Sequence, residues 1–112
     1  MKIIIAYIDP SLVEPIAEAL AGIGIIGATA TTAKDFGAGK FKPLYPHGAD
    51  NEQPFTMETQ LEVITQDLRV DEAVEIIKTV CERHRQPAAK IIIKVMDDSV
   101  RIRDGGHGED VL

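Results

Sequence analysis

Tryptophan is absent from this chain, and so is any pair of cysteines: Cys81 stands alone. A lone cysteine excludes an internal disulfide and fits a reducing compartment, the cytoplasm. Zinc-binding structural sites need several sulfur or imidazole ligands at short spacing, and His47, His84 and His107 show no such spacing beside the single thiol. No serine–histidine–acid set or carboxylate pair is placed for catalysis, so the chain is not read as an enzyme. Long apolar runs are missing as well. Met1 leads straight into KIIIAYI, too short and too β-branched for a signal peptide or a membrane span. Positive charge is scarce: 12 lysines and arginines face 18 acidic residues, for a net charge of −6. A phosphate backbone or an anionic membrane surface needs a basic face. Nucleic acid is therefore excluded as a general partner, and membrane contact arises only through a membrane-bound partner. A local basic pocket remains compatible with this balance.

What is present is a small, well-patterned domain. Its 112 residues are 45% apolar, enough for one core spanning 1–112, and domains this short commonly gain stability by oligomerising. The tetrapeptide KIII occurs at Lys2–Ile5 and again at Lys90–Ile93. Both read as short buried strands. Ser11 to Glu14 has capping-box spacing, Pro15 falls in a first turn, and Leu12, Ile16, Ala19, Leu20 and Ile23 form a helical stripe ended by Gly22 and Gly24. Ile25–Lys34 reads as a second strand and the alternating Glu58–Gln66 as a third. Asp67 is placed to cap a second helix with Val70, Ala73, Val74, Ile77 and Val80 as its stripe, and Cys81 beside that stripe reads as core. Lys90–Val95 is then a fourth strand and Val100–Arg103 a fifth. Two β-α-β halves in series predict an α+β, ferredoxin-like sandwich. Strands 2–8 and 90–95 are apolar on both sides, so the sheet face without helices needs a cover, and a closed homo-oligomer supplies one. Asp97-Asp98 reads as a turn, and Asp71, Glu72 and Glu75 as a wet helix face.

Two stretches stand apart. Residues 36–57, FGAGKFKPLYPHGADNEQPFTM, hold three glycines and three prolines with no periodicity. A connector this long in a small domain is usually a functional loop or a disordered one. Phe41, Leu44, Tyr45 and Phe55 favour recognition. The second stretch is VRIRDGGHGED from Val100. On a strand, Arg101 and Arg103 would face the same way about 6.5 Å apart, and their planar forks suit the oxygens of a di- or triphosphate. A solvated strand face with ordinary ion pairs accounts for R-x-R equally well.

The pattern resembles the PII signalling proteins from end to end. VRIRDGGHGED is similar to their V-R-I-R-T-G-x-x-G-E-D, SLVEPIAEALAGIGIIGAT to their first helix and second strand, KDFGAGK to K-G-F-G-R-Q-K, LYPHGAD to L-Y-R-G-A-E-Y, and LEVIT to K-I-E-V-V. Lys90-Ile91 matches the end of G-D-G-K-I. The resemblance implies a homotrimer of ferredoxin-like subunits with adenine nucleotides in clefts between them. Each cleft joins the loop root of one chain to the arginine segment of its neighbour, and the long loop docks on a transporter or enzyme. Carried over by position, Gly27, Ala28 and Thr29, with Glu62, Val63 and Ile64, would hold the base or its ribose. Gly37, Lys40, Lys90, Arg101 and Arg103 would meet the phosphates, together with the second-loop positions Pro87, Ala88 and Ala89. Tyr7 stands where the family has an aliphatic residue and would stack on or close the cleft.

Departures from the pattern are equally specific. The metal-coordinating glutamine that also positions 2-oxoglutarate is Gly39 here, and the arginine before it is Ala38. The third-strand lysine that pairs with the dicarboxylate is Glu58, which reverses the sign of that interaction. Pro87 and Ala89 replace second-loop glycines. Asn51 replaces the tyrosine that some relatives modify. The implied ligands are ADP or AMP, with ATP as a further candidate. The implied second ligand is bicarbonate, on Gly37, Ala38, Gly39 and Lys40, in an inorganic-carbon setting. The alternatives are a classical PII nitrogen regulator, a metal-responsive or structural trimer of the same fold, and a slow ATPase.

Overall fold

The computed structural model describes residues 1–36, 55–85 and 90–112. Its strands are β1 (Lys2–Ile8), β2 (Thr29–Asp35), β3 (Thr56–Thr65) and β4 (Lys90–Val95), and its helices are α1 (Val13–Ala21) and α2 (Val70–Arg83). The sheet order is β2-β3-β1-β4, with every neighbouring pair antiparallel. Each helix thus joins two strands that run the same way with a third between them. This is the α+β, ferredoxin-like sandwich expected from the sequence.

Alternation along β1 and β3 decides where the core sits. Ile4 pairs with Val63 and Ala6 with Leu61, and these four are 0–1% exposed on the face the helices cover. Against them pack Leu12, Ile16 and Leu20 from the first half, and Val70, Ala73, Ile77, Val80 and Cys81 from the second. Each fully buried isoleucine or leucine contributes about 1.5–3 kcal/mol, so this one layer supplies most of the driving force. Burial pushes the Cys81 thiol above its ordinary pKa, in keeping with a core rather than a reactive role.

Several local expectations are corrected. Helix α1 does not begin in a Ser11–Glu14 box. Asp9 is the capping residue, its Oδ1 accepting from the Ser11 N–H at 2.9 Å and the Ser11 hydroxyl at 2.7 Å, because a 3-10 turn at Pro10–Leu12 precedes the helix. Asp67 does not cap α2. A 3-10 turn at Asp67–Arg69 comes first, and the Asp67 carboxylate takes the Met1 ammonium at 2.9 Å. Strand β3 starts at Thr56 rather than Glu58, which shortens the long loop. Strand β4 is a sheet edge beyond the helices' cover: Ile91 packs on the core, but Ile93 and Val95 are exposed. Val100–Arg103 is not a fifth strand. Val100 makes an isolated bridge to His107, and a turn follows.

The second strand begins four residues later than its pattern suggests, and one glycine explains it. Gly24 has φ +87°. Its N–H bonds to the Ala21 carbonyl and the Ile25 N–H to the Leu20 carbonyl, both at 3.0 Å, the paired bonds of a Schellman helix end. Ile25 is thereby turned into the core beside Leu20 while Ile26 points out, 89% exposed, and the ladder starts at Thr29. A left-handed conformation costs a residue with a Cβ about 1–2 kcal/mol. Gly24→Ala is accordingly expected to lower the urea midpoint with an unchanged circular dichroism spectrum; an unaltered midpoint would contradict this account of the helix end.

Candidate functional site

The β2–β3 ladder stops at Thr29↔Glu62. Beyond that pair residues 24–28 leave β3, and a half-open cleft of about 540 Å³ lies between them. Gly27, Ala28, Thr29, Glu62 and Ile64 all line it, with Ile25 and Ile26, Thr65, Gln66, Arg69, Val111 and Leu112. Glu62 is held in place by the Gln60 amide, whose Nε2 donates to Oε1 at 3.1 Å. The cleft therefore offers a fixed carboxylate acceptor, a threonine hydroxyl, apolar side walls and a stretch of small residues where backbone can approach a ligand. Val63 departs from expectation. Its side chain is fully buried on the helix face, because neighbours on a strand point to opposite sides. What it can present here is backbone alone.

The other candidates lie elsewhere on the chain. Tyr7 pairs with Gln60 on one side and Lys90 on the other, forming a row on the face opposite α1 and α2. That row continues to Thr31. At about 4.8 Å per strand, Lys90 is about 14 Å across the sheet from β2.

Arg101 and Arg103 sit in a tight hairpin, which corrects the strand geometry expected for them. Arg101 donates its N–H to the Gly106 carbonyl and accepts from the Gly105 N–H, both at 2.8 Å. Gly105 at φ +72° and Gly108 at φ +66° make the reversal possible. Two aspartates fasten it. Asp98 accepts from the Ser99 N–H at 2.7 Å and the Gly108 N–H at 3.1 Å, and meets His107 Nδ1 at 2.9 Å. The His107 contact, then the Ser99 N–H, hold its carboxyl below the ordinary value. Asp104 accepts from the Gly106 N–H and from Arg101 Nη1, each at 2.9 Å, which likewise lowers its pKa. An exposed pair such as Arg101–Asp104 is screened by water and contributes little. A phosphate brings more charge and a matching pair of oxygens to the same fork, and it would displace the aspartate. Arg101 Nη1 and Val111 Cγ2 both lie within 4 Å of one point beside Gly106, so the hairpin flanks the cleft. Arg103 and Ile102 are exposed.

Gly37, Ala38, Gly39, Lys40, Phe41, Leu44, Tyr45, Asn51, Pro87, Ala88 and Ala89 lie outside the described residues. The neck of the long loop is described: the Phe36 and Phe55 rings lie 5.7 Å apart, and Lys34 sits 4.7 Å above the Phe55 ring. Glu58, just inside that neck, is 9% exposed. His84 ends α2 with its Nδ1 2.9 Å from the Val80 carbonyl oxygen. Sequence reading did not single out three features beside the cleft and in the hairpin. Asp104 was visible as an acid where the PII pattern has threonine. The Asp98–His107 contact spans a turn whose closure no spacing reveals. Arg69 falls in no motif.

A family profile described as nitrogen regulatory protein P-II matches residues 1–106. The chain belongs to the P-II family. Proteins named nitrogen regulatory protein P-II from Rhodospirillum rubrum and Azospirillum brasilense are 33% and 35% identical to it, each over 112 residues and the whole of both chains. The protein of that name from Mesorhizobium japonicum is 34% identical over the same span. P-II proteins are regulatory, so the coarse functional reading agrees with the one drawn from the sequence.

In this P-II chain the hairpin depends on ionised Asp98. Its folded pKa is depressed, so its contribution is present above the ordinary value of 3.8 and is lost as pH falls through the lower folded value. Asp98→Ala is expected to lower the protection of the Gly108 amide against hydrogen exchange, relative to its intrinsic rate, at neutral pH, and acidification below about pH 4 should lower that protection in the unaltered chain too. Equal Gly108 exchange rates in the variant and the unaltered chain would show that the hairpin holds without this anchor.

Proposed function

We propose that this P-II protein is a regulator without catalytic turnover that binds an adenine nucleotide, ADP or AMP and also ATP, in clefts completed between copies of a homotrimer. The observation that carries the reading is the gathering of Gly27, Ala28, Thr29, Glu62 and Ile64 around one cleft flanked by the arginine hairpin. Lys90 and Tyr7 lie across the sheet from it. A single chain so arranged holds the base end and the arginines, and leaves the remaining phosphate groups to a neighbour. The segment between β2 and β3, residues 36–55, is proposed to dock on a transporter or enzyme.

The setting is better drawn from the relatives. All three are named for nitrogen regulation, and nothing in those names supports an inorganic-carbon role or bicarbonate, whose expected residues Gly37–Lys40 lie outside the described region. Nitrogen regulation is therefore the preferred setting. Buried Glu58 argues that the second ligand is not the usual dicarboxylate, since a carboxylate there repels 2-oxoglutarate.

Calorimetric titration tests both parts. ADP is expected to bind, and Arg103→Ala to weaken it about tenfold or more, since a hydrogen bond to a charged group is worth about 1.5–3 kcal/mol. Light scattering should show the variant still trimeric. An unchanged affinity would make the arginines a solvated turn, and a stable monomer would remove the shared cleft. Addition of 2-oxoglutarate should leave ATP affinity unchanged; a several-fold tightening would place the chain with dicarboxylate-coupled nitrogen sensors despite Glu58.

A further inference from the structure

We propose that Arg69 contacts the ligand in this cleft and, acting opposite Glu62, makes the site accept guanine as well as adenine nucleotides. The proposal rests on the cleft binding a nucleotide at all, as argued above. Arg69 ends the 3-10 turn before α2 and lines the cleft. Its guanidinium packs against Gly24: a Cβ built there would lie 3.6 Å from Nη1 and 3.8 Å from Nη2. The side chain is half-buried, yet among the described residues it makes no hydrogen bond or ion pair. Five donors on a permanently charged group, partly withdrawn from water, call for acceptors.

Glu62 faces the same cleft, and no ion pair within 4.0 Å joins it to Arg69 among the described residues. Opposite charges that share a cleft without neutralising each other leave room for a group that carries both donors and acceptors. The edge of a purine is such a group. Adenine offers an amino donor beside ring-nitrogen acceptors. Guanine offers N1–H and N2–H donors, which suit a carboxylate, and O6 with N7, the pair that arginine takes with both arms of its fork. With Glu62 alone, the guanine O6 would be buried without a donor. Arg69 removes that penalty.

The test titrates ADP and GDP into the unaltered chain, Arg69→Ala and Arg69→Lys, with thermal melting to establish folding. The unaltered chain is expected to bind both. Arg69→Ala should lose GDP affinity about tenfold or more, and ADP affinity by less. Lysine keeps the charge but not the fork, so Arg69→Lys should fall between; if the alanine variant does not fold, a larger loss for GDP than for ADP in the lysine variant carries the same conclusion. Binding of ADP without GDP, or equal affinities in all three proteins, would overturn the role of Arg69 while leaving the nucleotide cleft intact. Binding of neither nucleotide by the unaltered chain would overturn the cleft reading and this proposal together.

Discussion

Two helices cover one face of a four-stranded sheet, and here both lie on the face built from Ile4, Ala6, Leu61 and Val63. The opposite face carries Ile3, Ile5, Tyr7, Ile64 and Ile92 in the alternate register, and no helix among the described residues reaches it. A face that apolar is stable in water when something else covers it. The P-II reading supplies further copies of the chain. The same constraint places the candidate site. Glu62 and Ile64 belong to this uncovered face, at the corner where β2 ends its ladder, so whatever covers the face also stands beside the cleft.

The corner itself depends on Gly24. A left-handed residue at the end of α1 turns Ile25 inward, delays β2 to Thr29 and parts residues 24–28 from β3. Helix termination, sheet register and the cleft are thus one event in the chain. The acidic hairpin is a second local device. Asp98 and Asp104 organise backbone that an arginine-bearing strand would not need, and Asp104 accepts from Arg101 at the surface of the hairpin.

Elements were legible where one periodicity ruled. The α2 stripe, β1 and the core position of Cys81 follow from spacing alone. The limits were set by glycine and aspartate. Ile25–Ala28 keeps strand-like composition but follows a left-handed turn. VRIR alternates like a strand but is closed by Asp98 and two glycines into a hairpin. The second KIII has the composition of a buried strand and the position of an edge, because composition does not say which strand ends the sheet. Of the residues carried over from the PII pattern, Gly27, Ala28, Thr29, Glu62 and Ile64 line one cleft. Arg69 could not be found that way, since it belongs to this sequence and not to the motif.

The central claim is that one cleft draws on two chains: base and arginine groups from one, Lys90 and the loop root from the other. Subunit mixing tests it directly. Arg103→Ala and Lys90→Ala homotrimers, each weak in ADP binding, should recover high-affinity sites when unfolded together and reassembled, because a mixed trimer contains an interface where both groups are intact. Failure to recover any tight site, with mixed trimers demonstrated by mass spectrometry, would contradict a shared cleft and confine the site to a single chain.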